Sequence, residues 1–106
     1  MATFERTLKV NKSAIDFINK ALNSPEYMGE DDTRAETAVF SDDLVMDIKC
    51  CGAKDEPAWT EAVLLKRGKG QTFSEVAVSE VSDEFLGEWE LDYNGDTYRV
   101  NVVMGD

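Results

Sequence analysis

The side chains with chemical capacity in this chain are carboxylates and two thiols, because none of its 106 residues is histidine. That absence removes the commonest general base, the commonest nitrogen ligand of zinc, and every Ser-His or Cys-His nucleophile. Acid-base work would fall to carboxylate pairs whose surroundings push their pKa values apart, and 22 acidic residues supply such pairs by composition alone. No catalytic residue is assigned, and the chain reads as non-enzymatic.

Cys50 and Cys51 are adjacent. In an extended strand their side chains leave on opposite faces, which makes a mutual disulfide awkward and denies both sulfurs to one metal. Two reduced thiols are expected, one packed as a small hydrophobe and one near the surface. Activation would need nearby positive charge, and Lys49 and Lys54 are the local sources. The run Gly29-Glu30-Asp31-Asp32-Thr33 and the pair Asp42-Asp43 cluster oxygen ligands without the spacing of a calcium loop. Gly68-Lys69-Gly70 lacks both the spacing and the following helix of a phosphate-binding loop. Solvated loops account for these stretches, and no metal or cofactor is assigned.

A ladder of carboxylates carries more promise: Glu84, Glu88, Glu90 and Asp92, joined by Glu75 and Glu80 on the preceding strand. With those strands as neighbours, several of these carboxylates share one solvent face with only Arg99 to offset them. Net charge is −11, and it is unevenly placed. The first 25 residues hold Arg6, Lys9, Lys12 and Lys20 against Glu5 and Asp16, whereas beyond Lys69 the only cation is Arg99. Such a field repels phosphate backbones and anionic membranes, so neither direct nucleic-acid binding nor membrane association is expected. It attracts basic protein surfaces, and the six carboxylates are the candidate partner-binding residues. Solubility of a wet strand face is the plainer account of the same charges.

In size and charge the chain resembles small acidic inhibitors that mimic nucleic acid, some anti-restriction and anti-CRISPR proteins among them. That physical likeness implies docking on the nucleic-acid groove of another protein and transfers no residues. The alternative is a small-molecule or divalent-metal domain, with a pocket between helix and sheet near Trp59 and the loop Gly52 to Ala58.

The elements that must position these groups belong to one domain over residues 1–106, an α+β fold in the order β-α-β-β-β-β-β-β. The pattern predicts an antiparallel, strongly curved sheet of about six to seven strands, with one amphipathic helix after the first strand. Thr3 to Val10 alternates as a strand, though Arg6 interrupts the apolar side of Phe4, Leu8 and Val10. Ser13 as N-cap, with Asp16 completing a capping box, starts a helix from Ala14 to Asn23, carrying Ile15, Ile18, Ala21 and Leu22. Ser24-Pro25-Glu26 and the acidic run after it form a connector.

Thr33 to Phe40 and Leu44 to Cys51 make a hairpin about Ser41-Asp42-Asp43, and Trp59 to Arg67 reads as a strand buried on both faces. Thr72 to Val81 follows, and short links imply antiparallel pairing of the later strands. Asn94-Gly95 suits a two-residue type I′ turn between Phe85 to Tyr93 and Thr97 to Met104. That loop pairs Trp89 with Val100, Leu91 with Tyr98, Glu90 with Arg99 and Asp92 with Thr97. The helix is expected to bury Ile15, Ile18 and Leu22 against Val63, Leu65, Trp89 and Leu91. Met-Ala-Thr-Phe-Glu-Arg leads directly into strand, and no apolar run approaches the ~20 residues of a membrane span, so a cytoplasmic protein is expected. Charge opposes close self-association, which leaves a monomer or weak homodimer.

Overall fold

The structure, a computed structural model, describes residues 1–22, 33–52 and 58–105. Among the described residues seven strands and one α-helix follow in the expected order: β1 (Thr3–Asn11), α1 (Lys12–Leu22), β2 (Thr33–Ser41), β3 (Leu44–Cys51), β4 (Trp59–Arg67), β5 (Phe73–Val78), β6 (Gly87–Tyr93) and β7 (Asp96–Gly105). The end of the expected helix at Asn23, the connector with Glu30-Asp31-Asp32, and most of the loop between Gly52 and Ala58 lie outside the described residues.

Where one strongly curved sheet is expected, the strands divide into two: β1-β7-β6 and β2-β3-β4-β5. The division falls between β5 and β6, whose connection does not turn back tightly. Its chain is held instead by β4. Thr60 and Ser82 exchange backbone hydrogen bonds at 2.8 Å, and the Ser79 hydroxyl accepts from the Ala62 N–H at 2.8 Å. These bonds take up donors and acceptors that a further ladder would use, and the chain crosses to the other sheet before β6 begins.

The second departure is in pairing direction. β1 lies parallel to β7, with Phe4 beside Tyr98 and Leu8 beside Val102. The β6–β7 hairpin leaves one edge of β7 open, and β1 fills it with matching alternation, so that Phe4 stacks on Tyr98 at 5.3 Å between ring centres. The remaining pairings are antiparallel. The β6–β7 register is the one that Asn94-Gly95 implies, with φ of 54° and 86° at the two turn residues.

The helix begins earlier than expected and with a different cap. Asn11 Oδ1 accepts the Ala14 N–H at 2.8 Å, while Ser13 only donates its hydroxyl to the same oxygen. The last residue of β1 is therefore the N-cap of α1, which leaves no linker between them. Ala14, Ile15, Ile18 and Ala21 recur at helical spacing and are buried.

One core joins both sheets and the helix: Val10, Ile15 and Ile18 meet Met46, Ile48, Leu64, Phe85, Val100 and Val102. Trp89 and Leu91 belong to it as expected; Val63 is fully buried but, like the half-buried Leu65, lies outside this cluster. Ala62 and Leu64 are the inward residues of β4, because Met46 pairs with Leu64 and Ile48 with Ala62. In the run Ala62 to Leu65 every residue is apolar, so alternation leaves its two faces indistinguishable. Arg6 finds its use at the seam between the sheets. Its guanidinium donates to the carbonyls of Val39 and Phe40 and lies 5.2 Å from the Phe40 ring centre, which ties β1 to β2.

Candidate protein-binding surface

Alternation along β6 sets up the surface. Trp89 and Leu91 are buried, so Glu88, Glu90 and Asp92 must point outward, about 6.8 Å apart along the strand. Trp89 is held by its indole N–H, which donates to the Phe85 carbonyl at 3.0 Å.

Arg99 on β7 lies opposite Glu90 and gathers three carboxylates. Its Nε and Nη2 donate to Glu90 Oε2 at 3.0 and 2.9 Å, its Nε lies 3.2 Å from Glu88 Oε1, and its Nη1 donates to Glu5 Oε1. The hydrogen bonds to Glu90 and then Glu5 raise the guanidinium above its ordinary pKa, with Glu88 adding to them. Asp92 accepts the Thr97 hydroxyl at 2.8 Å. The face thus carries Glu5, Glu88, Glu90 and Asp92 against Arg99 and Lys9, and it remains negative.

Of the six expected acids, Glu88, Glu90 and Asp92 share that face. Glu84 adjoins it, because Glu84 and Glu88 both line a small cleft of about 160 Å³ with Leu86 and Trp89. The Glu84 backbone is held from beneath: the buried Thr60 hydroxyl lies 2.6 Å from its carbonyl and 3.1 Å from that of Ser82. Glu84 also borders a larger open cleft of about 390 Å³, where Asp83 and Leu86 face Asn19 and Leu22 of the helix. Glu80 lies in the β5–β6 connection. Glu75 is separate: it pairs with Leu65 on the outer face of the other sheet, because β5 and β6 are not neighbours in one sheet.

Glu5 and Asp83 were not expected here. Asp83 had a signal in its position beside Glu84, whereas the place of Glu5 depends on the parallel β1–β7 register, for which no local pattern exists.

The two thiols leave β3 on opposite faces, as adjacent strand residues must. Cys50 is buried, and burial pushes its thiol pKa up, with Cys51 adding to the effect; both work against a thiolate nucleophile. Cys51 is half-buried with its Sγ 3.9 Å from Glu61 Oε1, the oxygen that also accepts the Trp59 indole N–H at 2.8 Å. Among the described residues no three His, Cys, Asp or Glu side chains are arranged to hold a metal ion, and no helix is long and apolar enough to cross a membrane. Compared with protein-family models, curated proteins and solved structures, the chain finds no match in any of the three.

Proposed function

We propose that this chain is a non-catalytic, cytoplasmic protein-binding module that docks on a basic protein surface through an acidic band. The band runs from Glu80, Asp83 and Glu84 in the β5–β6 connection onto Glu88, Glu90 and Asp92 of β6. The observation that carries the reading is the sharing of one guanidinium by three carboxylates, Glu5, Glu88 and Glu90. A single cation holds their geometry while leaving them with an excess of negative charge, so the acids are preorganised rather than neutralised. Their spacing of about 6.8 Å along β6 is twice the ~3.4 Å rise per phosphate of a DNA strand. A groove built for phosphates is the basic surface this ladder suits best.

The test is capture of partners on the immobilised chain at low salt, followed by elution with duplex DNA. A basic partner released by the duplex supports docking in a nucleic-acid groove. A partner that neither duplex nor high salt releases contradicts it.

A further inference from the structure

The outer faces of the two sheets differ in kind. On β1-β7-β6 the outward residues are Thr3, Glu5, Thr7 and Lys9, then Thr97, Arg99 and Asn101, then the acids of β6, with Val103 the apolar exception. This is the polar-out alternation of a sheet that faces water. On β2-β3-β4-β5 the register instead places Val39, Val45 and Leu65 in one row, with Val78 and Phe73 beside it. Val39 is 58% exposed and Val78 54%. Val63, in register between Asp47 and Val78 on the same face, is fully buried, and the apolar side chains left exposed beside it are the mark of a surface that another surface covers.

Charge indicates which surface. Around the apolar row stand Asp47, Glu61 and Glu75 against Lys49 and Arg67, near balance in a chain whose net charge is −11. A strongly basic partner is better matched elsewhere on this molecule. The face does match itself. With a two-fold axis along the strands between β3 and β4, each β3 residue meets the β4 residue that is its cross-strand partner in the other copy. Val45 then faces Leu65 of the second copy, and Lys49 faces its Glu61. Lys49 is half-buried and has no ion pair among the described residues, so it gains a partner in this arrangement.

We infer that the outer face of β2-β3-β4-β5 is a homodimer interface, packed sheet on sheet, with the acidic band left free on the far side of each copy. Strands of nine, eight, nine and six residues present a footprint of about 520 Å², against the ~800 Å² per partner of a standard interface. The dimer is therefore weak, and it forms as concentration rises. Because docking doubles when two acidic bands bind one partner, association also gives the module avidity.

Sedimentation of the full chain across a concentration series tests this. The mass rises from monomer toward dimer, and Val39→Lys with Val78→Lys raises the dissociation constant at least about ten-fold. The stronger arm uses charge reversal. Lys49→Glu and Glu61→Lys each weaken self-association, while an equimolar mixture of the two variants restores it, because every intermolecular contact is then between opposite charges. Pairing within one chain cannot produce that rescue. A constant monomer mass at every concentration overturns the proposal, as does a mixture no more associated than its components when circular dichroism shows both variants folded.

Discussion

Arg99 and Glu5, 94 residues apart in the chain, are joined by a hydrogen bond from Arg99 Nη1 to Glu5 Oε1 across the parallel β1–β7 ladder. The same guanidinium reaches Glu90 and Glu88 on the other side of β7, so one side chain spans the three strands of its sheet. Replacing Arg99 with Leu leaves three carboxylates facing one another without a counter-ion. The variant is less stable to urea than the parent, and added salt shrinks the difference because it screens the repulsion. A deficit that salt leaves unchanged contradicts this reading of Arg99.

Asn11 closes the helix start, and its loss exposes the Ala14 N–H. Asn11→Ala costs about 1 kcal/mol in chemical denaturation, Asn11→Asp costs little, and Ser13→Ala costs less than Asn11→Ala. The reverse order of the two alanine variants would restore Ser13 as the cap.

Thr60 links stability to the proposed surface. Its hydroxyl is fully buried and serves the Glu84 and Ser82 carbonyls. Thr60→Val therefore costs about 1–3 kcal/mol and speeds amide exchange in the β5–β6 connection, whereas Thr60→Ser stays near the parent. Uniform exchange throughout that segment in parent and variant contradicts the assignment.

Alkaline pH separates the buried thiol from the rest. Burial holds Cys50 above the ordinary thiol range, and Tyr98 is raised by burial first and then by Asp96 and Tyr93. In both cases the unfolded chain releases its proton before the folded one does. The stability contributed by Cys50 is whole below about pH 8.5 and that contributed by Tyr98 below about pH 10, and each is lost as pH climbs past its own point. The urea midpoint accordingly drops between about pH 8 and pH 10, and Cys50→Ala, though less stable overall, shows a shallower drop. Equal slopes would remove Cys50 from the account.

Much of this architecture was legible in local pattern. Asn94-Gly95 sets the β6–β7 register, and alternation about Trp89 and Leu91 places Glu88, Glu90 and Asp92 outward. What escaped was non-local. The apolar run Ala62 to Leu65 hides which face of β4 is the core, and only Met46 and Ile48 across the ladder decide it. Hydroxyls at Ser79 and Thr60 divert the chain between β5 and β6, and nothing in their spacing announces the change of sheet that separates Glu75 from the acids of β6. Glu5 carries no local signal, because strands so distant in the chain pair through the fold as a whole. Arg6, a charge on an apolar strand face, was in retrospect a mark of the seam where β1 meets β2.

In the proposed function, the carboxylates along β6 and its preceding connection act as one electrostatic docking surface. Affinity for a captured basic partner, followed across a salt series, tests it in the parent and in a variant carrying Glu84→Gln, Glu88→Gln and Asp92→Asn. The parent's affinity falls steeply as salt rises, and the variant binds more weakly with a flatter dependence. Parallel salt dependences in parent and variant, with the variant folded, would mean that partners are held somewhere other than this face.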